Sequence, residues 1–442
     1  KIMAGFTVAI VGRPNVGKST LFNRLLEQRK AIVDDISGVT RDRQYGIADW
    51  NGKTFNVIDT GGFVADSEDI FEREIRKQVY IAMEESDLIL FVCDTTTGIT
   101  AQDETMADVL RRSKKPVLLI VNKVDNYART IDATEFYSMG FEHTFQVSCL
   151  SGTGTGEILD EVTKHIVEVA VPVETDKDGN PLPKFAIIGQ PNSGKSTLLN
   201  ALVNEERTIV SDIAGTTRDT IHTHYKLFGK EFILIDTAGI RKKKNVHENL
   251  EFYSVIRAIR AMDEADVCML LIDATVGVTA QDVSIFSLAE RKGKGIVIFV
   301  NKWDIVQKET NTARDFEKLV KERVAPFTDV PVIFTSALEK TRIFQGMEKA
   351  IEVFENRKKR ISTSVLNEIM LPEIERYPPP FSRGHSVKIK FLNQLQTVTP
   401  TFVFYANFPD AVKDSYKNFL ENKLRTHFNF TGVPIKIYTR KK

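Results

Sequence analysis

Cysteine is scarce in this chain: Cys93, Cys149 and Cys268 are the only three in 442 residues. They are far apart, and two of them fall in apolar runs. A disulfide framework or a thiolate metal centre is therefore not expected, and the three read as ordinary core or loop thiols. Long apolar runs are missing too; none approaches the ~20 residues that cross a bilayer. The first residues carry no apolar stretch with a cleavage site, which argues against export. These absences lead to the expectation of a cytoplasmic protein with no membrane role. An overall excess of charge is also missing, the formal net charge being +1. That balance hides an asymmetry. From Arg357 to Lys442 there are 16 Lys and Arg against 6 Asp and Glu, and the remainder carries 44 against 53. A basic end on an acidic body suits a polyanionic partner such as nucleic acid. It also suits a solvated segment that uses its charge for solubility.

What is present is dominated by one stretch, Gly12-Arg13-Pro14-Asn15-Val16-Gly17-Lys18-Ser19. It fits G-x-x-x-x-G-K-[ST], the phosphate-cradling P-loop. The apolar run before it (6–11) reads as a buried strand, and the residues after it (20–26) read as a helix. Glycines let the backbone turn its N–H groups toward an anion, and the helix N-terminus adds partial positive charge. Lys18 supplies a point charge for the β- and γ-phosphates, and Ser19 a hydroxyl for Mg²⁺.

Length allows about three domains of roughly 150 residues. Over residues 1–170, apolar runs at 6–11, 55–59, 88–94, 117–122 and 144–147 alternate with helical patterns at 71–85, 103–113, 133–139 and 157–169. This alternation predicts an α/β domain with a mostly parallel sheet covered by helices on both faces. Ligands of such sheets bind beyond the carboxyl ends of the strands. Asp59-Thr60-Gly61-Gly62 closes one strand; its carboxylate suits Mg²⁺, and the Gly62 N–H suits a γ-phosphate. Asn122-Lys123-Val124-Asp125 closes another. Asp125 can accept from N1–H and the exocyclic amine of guanine, a donor pair adenine lacks. Asn122 can fix the loop, the Lys123 stem can cover the base, and Ser148-Cys149-Leu150 can turn backbone N–H groups toward guanine O6. Thr40, within residues 37–42, can complete the Mg²⁺ shell with GTP and release it after hydrolysis.

After a polar, proline-bearing linker over 171–183, the motifs return in the same order over 184–356. The second P-loop is Gly189-Gln190-Pro191-Asn192-Ser193-Gly194-Lys195-Ser196. At offsets of 177 residues come Thr217 and Asp236-Thr237-Ala238-Gly239, and at 179 Asn301-Lys302-Trp303-Asp304; Ser336-Ala337 follow. A fixed offset means a duplicated domain. Phosphate chemistry is assigned to Lys18, Thr40 and Gly62 and to Lys195, Thr217 and Gly239. Mg²⁺ is assigned to Ser19, Thr40 and Asp59 and to Ser196, Thr217 and Asp236.

Residues 357–442 read as helix, two strands, helix and strand, with strands at 387–392, 402–406 and 435–438 and a second helix at 412–428. Ser362 or Thr363 can cap the first helix. Two tandem nucleotide-binding domains followed by a small basic α+β domain resemble the EngA (Der) family of the TrmE–Era–EngA group, over essentially the whole chain. The resemblance implies a KH-like fold for the last segment. It also implies GTP hydrolysis with GTP or GDP and Mg²⁺ bound, a role in assembly of the large ribosomal subunit through rRNA, and a monomer. The segment has no G-x-x-G, the backbone clamp of KH modules, which leaves charge-led contact with rRNA or packing on the other domains. Phe63 and Ile240 follow the D-x-x-G motifs where many GTPases carry a water-orienting glutamine. In the related group a P-loop asparagine helps hold K⁺ instead, so Asn15 and Asn192 are candidate K⁺ ligands; their alternative is a brace inside the loop. Arg241-Lys242-Lys243-Lys244, found only in the second repeat, suits RNA or domain contact, or a solvated loop. Other readings are a GTPase of tRNA modification or membrane attachment, for which no modification domain or amphipathic anchor is found, and a module with one non-hydrolysing repeat.

Overall fold

A computed structural model of the chain describes residues 6–27, 33–34, 44–59, 79, 82–83, 86–166, 175, 179–203, 211–213, 221–227, 230–236, 258–307, 309–382, 384 and 386–441. Residues up to 166 belong to one compact unit and those from 175 onward to a second.

The first unit is built on β1 (Thr7–Val11), β2 (Val33–Asp34), β3 (Gln44–Trp50), β4 (Lys53–Asp59), β5 (Leu88–Asp94), β6 (Val117–Asn122) and β7 (His143–Gln146). Their order is β2-β3-β4-β1-β5-β6-β7. β1 lies parallel between β4 and β5, and the antiparallel pairs are β2–β3 and β3–β4. Every residue of β1 and β5 is buried, because alternate side chains feed cores on opposite faces. Val8, Ile10, Leu88 and Leu90 join one core; Ala9, Val11, Ile89 and Phe91 join the other. The first core is closed by helices Lys18–Glu27 and Thr155–His165, the second by helix Ala101–Arg111 and the 3-10 turns Ala133–Met139.

Two of these strands, β2 and β3, were not among those read from sequence. β3 and β4 form a hairpin whose two-residue turn is Asn51 (φ 51°) and Gly52 (φ 77°). Both positions are left-handed, which matches the strand twist and favours Asn-Gly. The helix expected at 103–113 begins at Ala101, because the Thr100 hydroxyl accepts from the Asp103 N–H while Asp103 caps Thr100 in return. The helix expected at 71–85 falls largely outside the described residues.

The second unit repeats this order as β9 (Ser211–Ile213), β10 (Ile221–Leu227), β11 (Lys230–Asp236), β8 (Lys184–Gly189), β12 (Val267–Asp273), β13 (Gly295–Asn301) and β14 (Val332–Phe334). It also holds the C-terminal fold: helix Thr363–Arg376, β15 (Ile389–Leu395), β16 (Thr401–Ala406), helix Asp414–His427 and β17 (Lys436–Lys441). This is the expected helix–strand–strand–helix–strand order. Ser362 sits at the first helix's N-cap, but its side chain makes no capping bond.

The C-terminal fold is fastened to the second sheet by specific contacts. Arg425 of helix Asp414–His427 pairs with Asp329 (3.0 Å), and the Thr399 hydroxyl donates to the Gly293 carbonyl (3.1 Å), the same carbonyl that Arg357 of the preceding helix Ile343–Lys358 reaches at 3.2 Å. The Ile296 N–H donates to the Gly432 carbonyl (2.7 Å), and Val433 is buried in the core of the second sheet.

Candidate functional site

The first P-loop turns between β1 and the helix that starts at Lys18. Two of its backbone positions require glycine. A Cβ on Gly12 (φ +155°) would lie 2.4 Å from the Val92 carbonyl oxygen, and one on Gly17 (φ +96°) 2.3 Å from Asn122 Nδ2. Asn15 adopts φ 65°, tolerable for asparagine; Val16 is fully buried in the core below. The Lys18 ammonium donates to the Arg13 carbonyl (2.8 Å), and burial lowers its pKa, with the Asp59 carboxylate opposing. The Ser19 hydroxyl donates to Asp59 Oδ2 (2.9 Å). Two of the groups assigned to Mg²⁺ are thus already side by side, though they come from different elements.

Asn122 ties the loops together. Its Nδ2 donates to the Val16 carbonyl (2.8 Å), and its Oδ1 accepts from the Cys149 N–H (2.9 Å). One buried amide therefore fixes both the P-loop and the loop after β7. Lys123 (φ 67°) extends its ammonium to Asp94 (2.5 Å), and the Val124 N–H donates to the Val147 carbonyl (3.0 Å). Asp125 accepts from the Ser148 hydroxyl and from Arg129.

The second pocket repeats the construction. Asn301 Nδ2 donates to the Ser193 carbonyl (2.9 Å), and its Oδ1 accepts from the Ala337 N–H (2.9 Å). A Cβ on Gly189 or Gly194 would meet the Leu271 carbonyl or Asn301 Nδ2 at 2.4 and 2.2 Å. Lys302 reaches Asp273 (2.6 Å), and Trp303 packs against Phe334, ring centroids 4.4 Å apart. The Lys195 ammonium donates to the Gly189 and Gln190 carbonyls (3.0 and 2.5 Å); burial lowers its pKa to about 8, opposed by Asp282. Asn192 repeats the left-handed turn at φ 63°. Asn15 and Asn192 are exposed, and among the described residues neither side chain makes a hydrogen bond, so neither acts as the internal brace. Asp236 ends β11, Asp304 lies within the turn after β13, and Ser196 is on the first turn of helix Lys195–Val203. Pro14 and Pro191 lie within the loops they were assigned to.

Thr40, Thr60, Gly61, Gly62 and Phe63, and likewise Thr217, Thr237, Ala238, Gly239 and Ile240, lie outside the described residues, as do Arg241 to Lys244. Two supporting residues, Arg24 and Arg129, were not found from sequence, and Arg13, read as a member of the P-loop, makes contacts that the motif did not show. Arg13 reaches across to Asp103 (3.2 Å) and Thr97, where Gln190 instead donates to Thr279. Arg24 donates to the Cys149 and Leu150 carbonyls (3.2 and 2.6 Å), pinning the loop after β7. Arg129 holds Asp125. An arginine one turn after N-K-x-D is the sequence signal for the last of these.

A P-loop, a strand-end carboxylate and an N-K-x-D turn braced to the P-loop, all at carboxyl ends of a parallel sheet and all present twice, define a P-loop GTPase with tandem nucleotide-binding domains. A family model described as 50S ribosome-binding GTPase matches residues 7–123 and again 184–302. One described as KH-domain-like of EngA bacterial GTPase enzymes, C-terminal, matches residues 360–440. The GTPase Der of Flavobacterium johnsoniae is 57% identical over 435 residues, 98% of this chain and 99% of that protein. That of Christiangramia forsetii is 56% identical over 438 residues, 99% and 100% of the two chains. The chain belongs to the GTPase Der family. It is a GTPase of two tandem GTPase domains and a C-terminal KH-like domain.

Proposed function

We propose that the chain is a GTP-driven switch in assembly of the large ribosomal subunit, working through rRNA. The observation that carries the nucleotide chemistry is the duplicated brace, Asn122 and Asn301 each locking a P-loop to the loop beside the base-reading aspartate. The ribosomal part draws on the family and on the basic C-terminal segment.

In this reading the P-loop amides with Lys18 or Lys195 hold the phosphates, and Asp125 or Asp304 reads guanine. Ser19 with Asp59, and Ser196 with Asp236, hold Mg²⁺, joined by Thr40 and Thr217. These are hard oxygen donors of the kind Mg²⁺ prefers; the ion would neutralise charge on the β- and γ-phosphates. Gly62 and Gly239 would sense the γ-phosphate. Phe63 and Ile240 cannot orient a water, so Asn15 and Asn192, whose exposed amides are uncommitted, would hold K⁺, which would supply the charge that an arginine finger supplies elsewhere. The chain works as a cytoplasmic monomer.

Sedimentation with ribosomal subunits in GTP and in GDP tests the switch. Association with the large subunit in one nucleotide state is expected; co-migration in neither would falsify the ribosomal part. Turnover in KCl and in NaCl at equal ionic strength tests K⁺, and equal rates would exclude it.

A further inference from the structure

We propose that the outer face of the C-terminal sheet is a stacking platform for unpaired RNA nucleotides. The inference rests on the ribosomal reading above and names the part of the RNA that this segment would take.

The three strands segregate their side chains. Ile389, Leu392, Phe402, Phe404, Ala406 and Ile437 enter the core beneath the two helices. The pairing register then sets Phe391 opposite Tyr405, and Tyr405 opposite Arg440, on the other face. The Phe391 and Tyr405 rings lie 5.5 Å apart between centroids. Tyr438 stands on the same face, two residues along β17 from Arg440. Phe391 is 36% exposed and Tyr438 49%. Two aromatics on one small sheet are thus left in water beside an arginine.

The charges on the same strands have one sign. Lys390, Lys436, Arg440 and Lys441 are the only ionisable groups in β15 to β17 apart from the tyrosines, and all four are exposed. A cross-strand aromatic pair alone would account for Phe391 and Tyr405. It would account neither for Tyr438 nor for Lys436 and Arg440, which the register sets on that face opposite Thr401 and Tyr405, on strands without a single carboxylate. Rings that bases can stack on, flanked by cations that follow a phosphate backbone, are what single-stranded nucleic acid needs. Paired RNA keeps its base faces inside the helix and offers mainly phosphate and 2′-hydroxyl groups. The absence of a G-x-x-G clamp in residues 357–442 removes the other common grip on single strands.

The test uses the full chain and a fluorescein-labelled oligouridine of about ten nucleotides, followed by anisotropy at fixed salt; stacking is worth ~1–3 kcal/mol per base. Tyr438→Ala and Phe391→Ala are each expected to weaken binding about fivefold or more, without changing the salt dependence, because stacking carries no charge. Arg440→Ala is expected to weaken binding and to make the salt dependence shallower. A duplex of equal length should compete poorly. Phe391→Tyr, which keeps the ring, should bind as the parent does, and unfolding midpoints of all variants identify any loss that comes from misfolding. Parental affinity in folded Tyr438→Ala and Phe391→Ala, or a duplex that competes equally, overturns the proposal. Its failure would leave GTP-dependent association of the parent chain with ribosomal subunits intact; failure of the ribosomal reading would remove that association itself.

Discussion

Asp125 and Arg129 are joined at 2.5 Å through Asp125 Oδ2, while Ser148 donates to Oδ1 at the same distance. Arg129 also donates to the Lys123 carbonyl (3.0 Å), so it fixes the turn as well as the carboxylate. The second pocket lacks this arrangement: among the described residues Asp304 makes no hydrogen bond, and the Ser336 hydroxyl accepts from the Glu339 N–H instead (3.0 Å). Each carboxylate oxygen of Asp125 keeps a lone pair, so in the proposed role the two donors would orient it toward guanine without blocking it. Exposed pairs of this kind contribute ~0.2–1 kcal/mol. Arg129→Ala should therefore lower GDP affinity of the first pocket about twofold to fivefold and leave the second unchanged. Calorimetric titration resolving two sites checks this; equal loss in both, or none, contradicts it.

The two P-loop lysines predict a pH effect on binding. Burial lowers the Lys195 pKa to about 8, and Lys18 is shifted the same way. A phosphate favours the ammonium, so binding above pH 8 must take up a proton at the second pocket. Affinity there should fall as pH rises through about 8. Titrations at pH 8.5 in two buffers of different ionisation enthalpy should show that uptake, and Lys195→Ala should abolish the second pocket's part of it. Steady-state turnover of Lys18→Ala and Lys195→Ala, measured separately, then shows which pocket hydrolyses; a variant with unchanged turnover marks its pocket as a binding site only.

Sequence was most informative where a strand is buried on both faces. The runs 88–94 and 117–122 coincide with β5 and β6 because continuous apolar sequence of that length has no other stable place in a parallel sheet. It was least informative on the β2–β3 side of the sheet. β3, with its polar and aromatic mixture Gln44–Trp50, gives no apolar run, and the Asn51-Gly52 turn that ends it was not read from sequence. The motif asparagines were visible as motif members, but their role as braces depends on partners 106 and 108 residues away. No local pattern carries that information.

Glu290 gives the C-terminal fold's contact with the second sheet a pH dependence. Burial raises its pKa from 4.5 to about 7, reinforced by nearby Glu421 and opposed by Arg291 and Arg425. Arg425 itself pairs with Glu421 (2.9 Å) and Asp329 (3.0 Å). Between pH 4.5 and 7 the unfolded chain releases the Glu290 proton while the folded chain keeps it, so this group makes stability fall as pH rises across that window. Glu290→Gln should remove that slope and raise the unfolding midpoint at pH 8. Parallel pH profiles for parent and variant would contradict the assignment.

Gly432 offers the sharpest test of how the C-terminal fold is held. Its N–H donates to the Asp329 carbonyl (2.8 Å) and its carbonyl accepts from Ile296. At φ +77° an added Cβ would lie 2.4 Å from Val353 Cγ2 and 2.9 Å from the Ile296 carbonyl oxygen. Gly277 has nearly the same φ, +83°, but open space around it. Gly277→Ala therefore measures the backbone strain alone, ~1 kcal/mol or somewhat more. Gly432→Ala adds overpacking, another ~1–3 kcal/mol. Urea denaturation should place Gly432→Ala clearly below Gly277→Ala. Equal midpoints would mean that the C-terminal fold can shift away from Val353 at little cost, and that the contact through Gly432 is not what fastens it.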